Sequence, residues 1–201
     1  MFKQTTILVI GFLLGAALMG VEMAAIRVMT PYFGSAIETW ACMIATVMLS
    51  LMAGYYLGGM VADRMPRSEV LGVVVLVSGA YLLAVPFVAT PMLDWMLENL
   101  GYDPPAVLAA SVALMFIPLT LLSFFSPYAV RLLLADAQHG GRVARSVYSI
   151  TTIGNVLGTL GAPLFLMRYL GSRDIMFLFA GIIVAGGIGL ILLRVRARAG
   201  A

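Results

Sequence analysis

Five long stretches of this chain contain no charged residue: Thr39 to Ala62, Val70 to Leu93, Pro104 to Val130, Ser146 to Met167 and Ile175 to Leu193. A sixth, Gln4 to Val21, ends at a lone acid, Glu22. A helix rises about 1.5 Å per residue, so roughly 20 apolar residues cross a hydrocarbon layer about 30 Å thick. In that layer each backbone N–H and C=O must pair inside its own segment, which selects helices. The expected fold is therefore all-α: a polytopic integral membrane protein with about six transmembrane helices, over residues 5–29, 38–62, 69–93, 105–131, 145–168 and 174–194. Composition supports this, with 62% hydrophobic residues, 10% charged residues and a mean hydropathy of +1.06. The polar connections, such as 97–103 and 134–145, are too short for a soluble core, so 1–201 reads as a single transmembrane domain with no soluble catalytic domain.

Lys and Arg resist translocation, so the loops that carry them stay in the cytoplasm. Alternating the six helices puts Lys3, Arg64, Arg67, Arg131, Arg142, Arg145, Arg194, Arg196 and Arg198 on one side. The other side receives Arg168 and Arg173 only, with Arg27 at the edge of the first helix. Both termini are expected in the cytoplasm. The net charge of +3 is a topology signal and gives no reason to expect nucleic acid. Glu38, Asp94, Glu98 and Asp103 give the outer face a negative cast that attracts cations, and Trp40 and Trp95 fit the interfacial aromatic belt.

Ionisable groups at membrane depth are costly and face a protein interior or a wet cavity. Glu22 is the leading candidate, as a structural carboxylate bonded to a neighbouring helix or as a carrier of a proton or cation. Arg27 lies five residues on, about 140° around the helix, so its partner belongs to another helix or its side chain snorkels to the interface. Gly11 and Gly15, Gly54 and Gly58, and Gly154 and Gly158 have the four-residue spacing of helix packing seams. Pro86, Pro118 and Pro163 each remove a backbone hydrogen bond inside a span and are candidate bends.

A weak internal repeat accompanies these features. Pro31 and Tyr32 close the first helix and Pro127 and Tyr128 lie near the end of the fourth, while the pairs Gly54, Gly58 and Gly154, Gly158 fall in the second and fifth. A unit of three spans re-enters the membrane upside down, so the pattern predicts a 3+3 inverted repeat.

Catalytic constellations are missing. Cys42 is the single cysteine and has no base beside it, His139 stands alone in a loop, and no phosphate-binding glycine loop follows a strand. No cofactor, no metal site and no enzymatic activity of the chain by itself are expected.

From Glu22 the sequence reads EMAAIRVMTPYFG, then ETW from Glu38, then GYYLGGMVADR from Gly54 to Arg64. SPYAVRL from Ser126, YSITTIGNVLGTL from Tyr148 and LGSR from Leu170 follow. This ordered set resembles the membrane-integral domain of bacterial spermidine synthase-like proteins, in which a polytopic region precedes a polyamine aminopropyltransferase domain. The resemblance covers nearly the whole chain. It implies a multi-pass protein of the bacterial inner membrane and a polar signature of Glu22, Arg27, Trp40, Tyr55, Asp63, Arg64, Arg131, Tyr148 and Thr152. Gly59, Asp63, Arg64 and Arg67 also resemble the cytoplasmic gating loop of major facilitator transporters, with Pro66 where that motif has glycine. Where the family continues into its aminopropyltransferase domain this sequence ends, so synthase activity is not expected here: either the soluble enzyme is a separate polypeptide, or the chain is a stand-alone relative with its own role.

Two functions follow as expectations. One is a transporter-like protein that binds or moves polyamines or related organic cations. Its binding or proton-coupling candidates are Glu22, Arg27, Trp40, Tyr55, Tyr148 and Thr152, and a homodimer would supply a second intramembrane carboxylate. The other is a membrane anchor that docks a soluble aminopropyltransferase through Asp63, Arg64, Arg67 and Arg131.

Overall fold

The computed structural model describes residues 2–134 and 140–196; His139 and Arg198 lie outside the described residues. Six helices are long and apolar enough to cross a membrane, and no strand is present among the described residues. Span 1 is Lys3–Phe33, span 2 Ile37–Arg64, span 3 Ser68–Leu100, span 4 Pro104–Leu133, span 5 Gly140–Tyr169 and span 6 Ser172–Leu193. The protein is an all-α, multi-pass membrane protein. Span 3, at 33 residues, reaches about 50 Å, so its last turns, with Asp94, Trp95 and Glu98, stand beyond the hydrocarbon. Pro31 and Tyr32 lie inside the last turn of span 1, which runs on to Phe33.

Span 1 lies along span 5, span 2 along span 4, and span 3 along span 6, while span 1 also packs on span 6 and span 4 on span 3. Exchanging the first three spans for the last three, in order, leaves this pairing unchanged. The glycine pairs follow the same exchange. Gly54 and Gly58 pack on Thr120, Ser123 and Phe124 of span 4, and Gly154 and Gly158 pack on Phe12 and Ala16 of span 1. A Cβ at Gly54 would overlap the Thr120 carbonyl, and one at Gly154 would overlap the Phe12 carbonyl, so both seams bring backbone against backbone. Gly72 of span 3 and Gly187 of span 6 form the third close approach.

The prolines act unequally. Pro118 follows directly on a π-helical turn, Val112–Phe116, and Pro163 lies inside another, Ala162–Leu166. Widened turns of this kind accommodate the bonds that proline removes. Span 3 satisfies two of the carbonyls of span 4: the Tyr81 hydroxyl donates to Ala113 O at 2.8 Å and Ser78 Oγ donates to Pro118 O at 2.8 Å. Pro86 and Pro91 sit in an unbroken helix.

At one end of the bundle the ends of spans 2, 4 and 6 meet the start of span 3. Arg131 pairs with Asp63 at 3.6 Å, and the fully buried Tyr128 donates its hydroxyl to the Met65 carbonyl and accepts the Arg67 N–H at 3.4 Å. Ser68 and Val195 exchange two bonds of 2.8 Å. Arg64, Arg67, Arg131 and Arg196 therefore share what is here termed the basic end.

Candidate functional site

Span 1 carries the site. Gly11, Gly15, Leu18, Glu22 and Ile26 follow one another at spacings of four, three, four and four, which draws a single stripe along a helix. Two cavities open along this stripe. Gly11, Leu14, Gly15 and Leu18 line the first, together with Leu51 and Tyr55 of span 2, Ser123 and Ser126 of span 4, and Tyr148, Thr151, Thr152 and Asn155 of span 5. Met23, Ile26, Arg27 and Thr30 line the second, with Trp40 of span 2 and Pro163 and Met167 of span 5. Glu22 sits on the stripe between Leu18 of the first cavity and Met23 and Ile26 of the second, in a stretch of helix about 7.5 Å long, and lines neither cavity.

The first cavity is small, about 50 Å³, and lies in the basic half of the bundle, with Tyr148 three residues from Arg145 and Ser126 five from Arg131. No charged side chain lines it. Its polar groups are hydroxyls and one amide, two of them tied to their own helices: Thr151 Oγ1 donates to Val147 O at 3.0 Å and Ser123 Oγ to Leu119 O at 2.6 Å. With the Asn155 amide turned so that its nitrogen faces acceptors, it donates to Gly15 O at 2.9 Å across the span 1 and span 5 seam. Hydroxyl oxygens and aromatic faces without a competing cation form a surface that suits a positive charge.

The second cavity, about 190 Å³, lies near the opposite end. Arg27 is fixed there by donating to Met167 O at 3.0 Å, where the last turn of span 5 leaves carbonyls without helical partners. Arg27 therefore ties the ends of spans 1 and 5 together, which answers the question of its partner. Trp40 stands beside it, 40% exposed, as an interfacial side chain.

Glu22 is 6% exposed, and among the described residues no hydrogen bond or ion pair reaches its carboxylate. The acid is thus turned into the protein and away from acyl chains, without the hydrogen-bonding helix neighbour that a purely structural carboxylate would have.

The six residues singled out as binding or proton-coupling candidates separate into Tyr55, Tyr148 and Thr152 at the first cavity, Arg27 and Trp40 at the second, and Glu22 between. Asp63, Arg64, Arg67 and Arg131 lie apart from both, at the basic end. Asn155, in the middle of span 5, is not among the candidates. Its polarity at membrane depth is the signal that marks it. Ser123 and Thr151 give no such signal, because hydroxyls that bond back to their own helix are ordinary in membrane spans. Among the described residues no three His, Cys, Asp or Glu side chains group as they would around a metal ion. Comparison of the sequence and of the structure with known proteins gives no match to a protein family, to a curated protein or to a solved structure.

Proposed function

We propose that this chain is a transporter-like membrane protein in which Glu22 hands a proton or an organic cation, with polyamines as the cargo class, between two cavities that open toward opposite ends of the bundle. The observation that carries the reading is the position of Glu22: buried, without a partner among the described residues, four residues from Leu18 in the lining of one cavity and next to Met23 in the lining of the other. A buried carboxylate without a fixed partner is a group whose charge is balanced by whatever arrives beside it. The first cavity holds only water-sized species in this conformation, so passage of a polyamine requires its walls, spans 2 and 5, to separate. A polyamine carries several charges and each chain offers one such acid, so a homodimer in a bacterial inner membrane is the assembly that fits this cargo best.

The test is uptake of labelled putrescine or spermidine into liposomes that contain the purified protein. The native protein should take up the cation, and Glu22→Gln should reduce the rate at least tenfold while its thermal midpoint in detergent stays within a few degrees of native. Uptake that survives the substitution, or no uptake under any imposed proton gradient, removes the reading.

The arginines gathered at the basic end favour a second reading, in which the chain anchors a separate soluble aminopropyltransferase. Electrostatic docking of that kind is lost at high salt, so co-purification at low salt alone would support it.

A further inference from the structure

The basic end holds a cluster that the transport reading leaves unused. Arg64, Arg67 and Arg196 line, with Met65 and Pro66, a cavity of about 230 Å³, and none of the three forms an ion pair among the described residues. The fold assembles this cluster at some cost. Span 6 ends at Arg194 in a left-handed conformation, φ 45° and ψ 55°, the one non-glycine residue with positive φ among those described. Such a backbone is unfavourable for a residue with a Cβ. The turn carries Val195 and Arg196 back across the start of span 3, where Ser68 N–H donates to Val195 O and Val195 N–H to Ser68 Oγ, each at 2.8 Å. Arg67 and Arg196 then face each other as an isolated antiparallel bridge. Like charges opposed across such a pair repel. Left-handed strain and unrelieved repulsion at one spot are what a site shows when its counter-ion is a ligand.

We propose that this cavity binds a phosphate group. Guanidinium forks match phosphate oxygens in pairs, and the N-terminus of the long span 3, capped by Arg67, adds its partial positive charge. Glu69, in the first turn of span 3, does not line the cavity, and its Oε2 is buried without a partner. The cavity lies where spans 2, 3 and 6 end, the depth at which phospholipid headgroups reside, so the phosphate belongs either to an anionic lipid or to a free phosphate ion. Occupancy would clamp the tail of span 6 to the loop between spans 2 and 3. This inference stands whether or not the chain transports anything.

The experiment uses the full chain. Thermal midpoints are recorded in nanodiscs of phosphatidylcholine with and without phosphatidylglycerol, and in detergent with inorganic phosphate against chloride at equal ionic strength. Affinity is read with fluorescent phosphatidylglycerol in nanodiscs and by phosphate titration in detergent. A lipid site gives a midpoint rise with phosphatidylglycerol alone, and a free-phosphate site gives the rise with inorganic phosphate in detergent. In both cases the double variant Arg67→Gln, Arg196→Gln should bind about thirtyfold more weakly, and Arg142→Gln, Arg145→Gln, which leaves the cavity intact, should stay within about threefold. Arg64→Gln alone, whose side chain makes no other bond, should lose about fivefold and serves if the double variant misfolds. No rise with either probe overturns the proposal, and so does an equal loss in the Arg142, Arg145 variant, since that would be diffuse charge attraction.

Discussion

Spans 1 and 5 lie along each other for most of their length and line the same two cavities, yet they are held in opposite ways. In its most apolar stretch span 1 is 61% buried, and Ile7, Leu14, Ala17, Val21, Ala24, Ala25 and Met29 point into the core on more than one side. Span 5 is 22% buried and touches the rest of the protein through one narrow stripe, Val147, Thr151, Gly154, Gly158 and Ala162, with Ile153, Val156, Leu157, Leu160 and Phe165 turned outward. The difference separates a wall fixed on several sides from one held along a single stripe. Glu22 belongs to the fixed wall, and Tyr148, Thr151 and Thr152 belong to the other.

The sharpest way to break this contrast is to spoil the stripe. Gly158→Val places a Cβ on the Ala16 carbonyl, which cannot retreat because Ala16 belongs to the fixed wall; a loss of about 3 kcal/mol is expected in denaturant titration of the detergent-solubilised protein. A loss below about 1 kcal/mol would mean that span 5 is held elsewhere. Arg27→Gln removes the clamp at the far end and should cost about 1 kcal/mol, with faster hydrogen exchange in the last turn of span 5 and none added in span 1. Asn155→Ala deletes one bond across the seam, worth about 0.6 kcal/mol on the average of interhelical bonds in membranes. Gly161→Ala meets no atom within 4 Å and should stabilise by about 0.5 kcal/mol, because only the backbone freedom of the unfolded chain changes. If Gly161→Ala destabilises as much as Gly158→Val, the outward face of span 5 is covered by something, and a second copy of the chain becomes the first thing to look for.

The number and kind of spans could be read from sequence because lipid removes the ambiguity that water leaves. An uncharged run as long as Pro104 to Val130 has one stable form there. Glycine spacing pointed to the seams for the same reason, since in the helix that lipid selects Gly154 and Gly158 share a face. Which helix each seam meets could not be read, because spacing carries no partner. The burial of Glu22 was legible from cost alone, but its place between two cavities needed spans 2 and 5 to be set against span 1. The basic-end clamp was the least visible. In the sequence Tyr128 marks the repeat and gives no sign of its bond to the Met65 carbonyl, and Arg196 reads as a topology signal; only the turn at Arg194 brings it to Arg67.

The π-helical turn in span 4 limits how the bundle can rearrange. Its Ala113 carbonyl, and that of Pro118 after it, are held by Tyr81 and Ser78, so a shift of span 4 along span 3 would break both bonds at once. Those two helices, with span 6 glued to span 3, form a keel. Under the transport proposal, opening is a swing of lighter timbers about that keel, and a crosslink joining Ser78 to the Pro118 turn should leave uptake intact where one pinning span 5 to span 1 stops it.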